Sequence, residues 1–213
     1  DNSGRRKRQK ALDIRVIMGN PPYSAGQESA NDNNQNVAYP DLDSNIRDTY
    51  AAHSKATNKN ALYDSYIRAI RWASDRIGKS GIVGYVSGSA WIERSFADGM
   101  RKCLAEEFTN IYVFHLRGDI RKNMLSKGAA KEGGNVFGSG SMTGIAVSFL
   151  VKNPQSKEHG NIYFCDVGDD LKSNEKLKAI ADLKSVNGIK NKNCWIQLEP
   201  DKHYDWLNQR DDS

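Results

Sequence analysis

The residues best suited to chemistry are Asn20-Pro21-Pro22-Tyr23, directly after the apolar run Ile14-Arg15-Val16-Ile17-Met18 and Gly19. An exocyclic amine on an aromatic ring, such as adenine N6, is a poor nucleophile because its lone pair is delocalised. Two acceptors that take both amine hydrogens favour the geometry in which nitrogen attacks. The Asn20 side-chain oxygen is one such acceptor, and the Pro21 carbonyl is the other. Proline lacks an N–H and has a fixed φ, and the residue before it is held out of the helical region. Pro21 and Pro22 therefore make a stiff ledge rich in acceptors, with no competing donor. Tyr23 adds an aromatic face on which an extracted base stacks. The plainer alternative is a Pro-Pro turn carrying a surface tyrosine, since Asn-Pro is a common turn signal.

A site of this kind belongs at the carboxyl end of a strand in an open α/β sheet, and the hydrophobic pattern supplies such a sheet. Apolar runs at 14–18, 81–86, 111–116, 145–151 and 161–165 predict strands, the first two of them buried. Leu62, Tyr66, Ile70 and Ala73 recur at helical spacing, so 61–78 is a helix ended by Gly78. Phe96, Met100, Cys103 and Leu104 mark a second helix near 95–107, and 172–183 reads as a polar one. Strands alternating with helices imply a mostly parallel sheet. The last two strands have no helix between them, which predicts an antiparallel hairpin at one edge. The chain past 183 reads as irregular.

Two long loops flank this framework. The stretch 19–60 is poor in apolar residues and too long for a simple connection. Asn33, Asn34 and Lys59 within it are candidate contacts to a target base or to DNA. The loop 117–142 is rich in Gly, Lys and Arg, and Arg117, Arg121, Lys122, Lys127 and Lys131 are candidates to track phosphates. An ordinary solvated loop is the alternative in both cases. Ser87-Gly88-Ser89 should lie beside the Asn-Pro-Pro-Tyr loop, either as a contact or as a strand-ending turn. Asp64 is either a loop hydrogen-bond partner or a surface charge.

The string Asn20–Tyr23 resembles the catalytic motif of amino-methylating DNA methyltransferases in its adenine-N6 form. The stretches Gly19–Gln27, Ser29–Asn34, Ala56–Asn60 and Leu62–Ala69 resemble the methyltransferase portion of Type ISP restriction–modification enzymes, which join nuclease, translocase, methyltransferase and target-recognition parts in one chain. The resemblance covers roughly residues 13–152. It implies a partial Rossmann-like methyltransferase fold. It also implies that Asn20 and the Pro21 carbonyl bind N6, that Tyr23 stacks on the flipped adenine, and that S-adenosylmethionine is the donor in the intact parent. Such enzymes bind that donor with a Gly-rich loop and an acidic residue upstream of this motif, where only a polar, basic stretch stands here. Gly133-Gly134 and Gly138-Ser139-Gly140 follow no strand and open no helix, so they read as flexible loop rather than cofactor cradle. The expected partners are double-stranded DNA and the missing segments of the parent chain, and the expected setting is bacterial cytoplasm. Alone, the piece is expected to be inactive.

Composition limits the remaining possibilities. The 213 residues, 38% hydrophobic and 27% charged, suit one globular domain, and no apolar run is long enough to span a bilayer. Cys103, Cys165 and Cys194 form no C-x-x-C pair and read as free thiols. His53, His115, His159 and His203 are scattered, which predicts no metal site. The net charge of +5 suits a polyanionic partner. Part of it lies in Arg5–Lys10, read as a solvated tail or, alternatively, a phosphate-contacting arm. The expected organisation is a basic tail or linker over 1–12, the second half of the catalytic domain over 13–165, and a connection toward a target-recognition region over 166–213. Three other functions fit the residues less fully: methylation of a protein amide nitrogen, non-catalytic nucleic-acid binding, and a structural piece with an unsatisfied sheet edge.

Overall fold

A computed structural model of the chain describes residues 2–23, 39–125, 131–138 and 142–209. In order, the elements are α1 (Asn2–Ala11), β1 (Val16–Gly19), α2 (Pro40–Ile46), α3 (Ser65–Arg76), β2 (Gly81–Gly88), α4 (Ala90–Glu93), α5 (Asp98–Glu107), β3 (Asn110–Arg117), α6 (Ile120–Leu125), β4 (Ile145–Lys152), β5 (Asn161–Asp166), α7 (Ser173–Leu183), α8 (Val186–Asn191) and β6 (Ile196–Leu198). A π-helical turn (Arg47–Ala51) and two short 3-10 turns (Asn60–Tyr63, Ser95–Ala97) complete it.

The six strands form one sheet in the order β1-β2-β4-β3-β5-β6. Strands β1, β2, β3 and β5 run one way, while β4 is wedged antiparallel between β2 and β3. An antiparallel pair does lie at one edge, but it is β5 with β6. The expected hairpin of β4 with β5 does not form, because β4 is fully paired on both sides by strands that precede it in sequence. The registers Gly88↔Ile145, Arg117↔Ile145 and His115↔Asp166 bring the carboxyl ends of β2, β3 and β5 to one edge.

Alternation along the strands divides the core. One face buries Val83, Ile111, Val113, Leu150 and Ile162 under the inner sides of α3 and α5. Gly99 lets α5 approach the π-helical turn, since a Cβ there would stand 2.1 Å from Tyr50 O. The other face is covered by α7 and α8 only near the carboxyl edge, around Phe114, Leu116, Cys165, Leu183 and Ile189.

Five further expectations change. The 14–18 strand is not buried: β1 is an outermost strand whose Val16 and Met18 are 56% and 79% exposed. Its pairing is satisfied on the β2 side alone, and of its apolar side chains Ile17 packs against the core. The basic run is helical, since Arg, Lys, Gln and Ala are good helix formers even without an apolar stripe. Part of the first long loop is helical too, over 40–51. Past 183, α8 and β6 replace the irregular end, and Cys165 and Cys194 form a disulfide that ties β5 to the approach to β6. Only Cys103 is a free, buried thiol. Among the described residues no helix is long and apolar enough to cross a membrane.

Candidate active site

Asn20 leaves β1 at the carboxyl edge and is exposed, as is Pro22. The chain then turns so that the half-buried Tyr23 packs, as Val86 and Val136 do, against the core cluster around Phe114, Leu116 and Ile145. Its hydroxyl donates to Asn20 Oδ1 and also stands 3.4 Å from Val86 O. Burial pushes the Tyr23 phenol above its ordinary pKa, and the hydrogen bond to Asn20 offsets this in part. The acceptor ledge and the aromatic plate are thus tied to each other.

A second ring faces the first. Phe137 is 49% exposed, and its centroid lies 6.0 Å from that of Tyr23 at an interplanar angle of 37°. Its loop is fixed by the buried Asn135. The Asn135 amide donates to Gly118 O at 3.1 Å and Thr143 O at 2.8 Å, and its side-chain oxygen accepts from Phe137 N at 2.9 Å. Sequence reading did not select Phe137. The available signal was one bulky aromatic in a loop otherwise of small and polar residues, which is weak because exposed single apolar residues are common.

The expected DNA contacts divide three ways. Asn33, Asn34 and Lys127 lie outside the described residues. Lys59 turns inward, and its Nζ donates to Ala51 O at 2.7 Å, satisfying a carbonyl at the end of the π-helical turn. Ser87 and Ser89 are buried. The Ser87 hydroxyl donates to Gly88 O at 3.2 Å, and Ser89 Oγ sits 2.6 Å from where a Cβ on Gly144 would stand. Neither hydroxyl reaches the surface, so in this arrangement they close the strand end rather than meet DNA.

The basic loop is largely neutralised from within. Arg117, at φ 55°, pairs with Asp166 and Asp169, each at 2.8 Å, and donates to Lys131 O. Burial pushes the Asp166 carboxyl up, but contacts from His115, Gly168 N and Arg117, in that order, outweigh it and hold the group down at about 2. Lys131 pairs with Asp169 at 2.8 Å. Lys122 pairs with Glu93 at 2.6 Å and Glu132 at 3.5 Å. Arg121 is exposed with no ion partner among the described residues. Arg94, which sequence reading passed over, is half-exposed at the same edge and 3.3 Å from Asp119. Asp64, just before α3, is half-buried. Burial raises its carboxyl to about 6, and Arg68 tempers the rise.

Gly133 and Gly134 do not form a cradle for S-adenosylmethionine, and Ser139 and Gly140 lie outside the described residues. A Cβ on Gly133 would stand 2.2 Å from Leu171 O, and one on Gly134 would stand 3.0 Å from Ser173 N. These glycines are pressed against the chain's own backbone and leave no room for a cofactor there. Among the described residues no group of three His, Cys, Asp or Glu is placed to hold a metal.

A mixed α/β sheet with this loop at its carboxyl edge fits the methyltransferase portion of a restriction–modification enzyme. More narrowly, the chain is a homologue of one segment of the Type ISP restriction–modification enzymes. Over 99% of its length it is 41% identical to the ATP-dependent Type ISP enzyme LlaBIII bound to DNA, with a TM-score of 0.89. It is 45% identical, again over 99% and at TM-score 0.89, to a nuclease-deletion mutant of the Type ISP enzyme LlaGI in complex with a DNA substrate mimic. To the DrdV–DNA complex it is 37% identical over 99%, at TM-score 0.85. The chain spans only 14%, 16% and 20% of those three chains, respectively. No protein-family model and no curated protein matches it.

Proposed function

We propose that this chain is the base-holding half of an S-adenosylmethionine-dependent methyltransferase that acts on adenine N6 in double-stranded DNA within a restriction–modification enzyme. The observation that carries the reading is the exposed Asn20 side chain at a strand's carboxyl end, on a proline-stiffened ledge beside two facing rings. An extrahelical adenine would give its amine hydrogens to Asn20 Oδ1 and Pro21 O and lay its face on Tyr23. Two stacking contacts of ~3.5 Å need ~7 Å between rings. The 6.0 Å spacing therefore has to open by about 1 Å for a full sandwich, or Phe137 meets the base edge-on. Among the described residues Arg121 is the cation at this edge without an ion partner, and so the one left for phosphates. S-adenosylmethionine supplies the methyl group and would be bound by other segments of the parent, which also cover the open side of β1. That the three relatives above were captured with DNA supports a DNA substrate.

The test is methyl transfer by the full-length enzyme from labelled S-adenosylmethionine, with nucleoside analysis of the product. The expected product is N6-methyladenine, and Asn20→Ala lowers its rate by ~10²–10³-fold, as when one preorganised hydrogen-bonding group is removed from an active site. Label in cytosine or in protein overturns the reading.

A further inference from the structure

The chain's whole net charge resides on one helix. The sequence holds 31 Lys+Arg against 26 Asp+Glu, and α1 contains Arg5, Arg6, Lys7, Arg8, Lys10 and no acidic residue. The other 26 cations are balanced by 26 acids. At the catalytic edge Arg117, Lys122 and Lys131 are held in ion pairs with the chain's own carboxylates.

α1 is also anomalous as a helix. It buries no residue. A ten-residue helix has little stability of its own, and Gly4 lowers it further. Arg5 with Arg8, Lys7 with Lys10 and Arg6 with Lys10 set like charges at the spacings where side chains meet and repel. Arg76 Nη2, which donates to Gln9 O at 2.6 Å, anchors its end to the body but neutralises none of these charges. A polyanion that meets α1 would remove the repulsion that now opposes it.

We propose that α1 is a second DNA-binding element, lying in a groove of duplex DNA and holding phosphates independently of sequence. At roughly 100° per residue, Arg5, Arg6, Lys7 and Arg8 point to four sides of the helix. A flat acidic protein surface would meet only one of those sides. The major groove admits a helix and presents phosphates along both walls. The DNA held there is a different stretch from the one under the catalytic edge. α1 precedes β1 and so stands at the amino edge of the sheet, while Asn20 stands at its carboxyl edge. The four residues of β1 alone separate the two edges by ~13 Å. Arg76 and the exposed Lys79, between α3 and β2, extend the basic surface at that amino edge. The proposal rests on the functional reading above only for the identity of the polyanion.

The test uses the full-length enzyme and the triple variant Arg5→Gln, Arg6→Gln, Arg8→Gln, with a labelled duplex of ~40 base pairs and Kd measured from 50 to 200 mM salt. Three lost phosphate contacts reduce the slope of log Kd against log salt by ~2.7. The salt sensitivity over that range then shrinks roughly 40-fold. The charge-preserving Arg→Lys triple variant keeps the wild-type slope, and methylation at saturating DNA is unchanged in both. An unchanged slope in the Gln variant overturns the proposal and assigns α1's charge to solvent or to an acidic protein surface. A slope loss accompanied by slower methylation at saturating DNA also overturns it, by placing α1 on the target duplex. Should the wild-type enzyme methylate no DNA, the functional reading fails alone, and the slope measurement still decides on α1.

Discussion

Replacing Tyr23 by Phe isolates one contact whose removal should help rather than harm. The Tyr23 hydroxyl donates to Asn20 Oδ1, the acceptor that an adenine amine would need. An amide oxygen has two lone pairs, so while that bond stands the incoming amine meets an acceptor already half taken. The base competes with the hydroxyl for that oxygen, and the hydroxyl also has a weaker contact to Val86 O at 3.4 Å. A neutral hydrogen bond contributes about 0.5–1.5 kcal/mol net. Asn20 is exposed, and water can replace the partner, so the lower part of that range applies, ~0.5–1 kcal/mol. Tyr23→Phe keeps the ring beside Phe137 and leaves stacking intact. The expected result is capture of an extrahelical adenine tightened by roughly 2–5-fold, at 1.4 kcal/mol per factor of ten. Tyr23→Ala loses the stacking face and weakens capture by ~1–3 kcal/mol, roughly 5- to 150-fold. The assay is the full-length enzyme titrated against duplexes carrying 2-aminopurine at the methylated position, whose fluorescence rises when the base leaves the stack. If Tyr23→Phe weakens capture several-fold, the hydroxyl touches the substrate and the reasoning from the Asn20 contact is refuted.

Phe137→Ala should also weaken base capture, by ~1–3 kcal/mol if its ring stacks on the base, with thermal stability nearly unchanged because the side chain is half-exposed; normal 2-aminopurine signals would remove Phe137 from the site. Asp64 is held near 6 by burial, against an ordinary value near 4, so the folded state binds its proton more tightly than the unfolded one. Its stabilisation is present at pH 4 and is lost as pH rises through about 6, leaving a buried charge at pH 8. Asp64→Asn should therefore raise Tm at pH 8 and leave it unchanged at pH 4; screening of this part-exposed group limits the gain to ~1 kcal/mol, a few degrees. Arg101 is fully buried, pairs with Asp205, and donates to the carbonyls of Tyr204, Trp91 and Arg94. Arg101→Leu strands a buried carboxylate and should lower unfolding stability by ~3–5 kcal/mol in urea titrations; a loss below ~1 kcal/mol would show that the 201–207 segment is not docked there.

The sequence by itself determined the local patterns. The apolar runs at 81–86, 111–116, 145–151 and 161–165 lie within strands, and the spacing of Leu62, Tyr66, Ile70 and Ala73 marks the helical region that α3 occupies, because side-chain period is a property of neighbouring residues. The stiffness of Asn20-Pro21-Pro22-Tyr23 after a strand was legible for the same reason: proline restricts φ wherever it stands. Only the tertiary structure decided what those patterns meet. No periodicity tells β4 to insert between β2 and β3, since each strand of an alternating pattern can pair with any other. The exposure of β1 follows from its place at the open side of the sheet and not from its composition. The cations Arg117 and Lys122 looked available for phosphates in sequence, yet their partners Asp166 and Glu93 lie 49 and 29 residues away. Phe137 faces Tyr23 across 114 positions of chain through a loop pinned by Asn135, and Cys165 finds Cys194 across 29. Contacts at such separations depend on how the sheet orders its strands, and a one-dimensional pattern carries no such information.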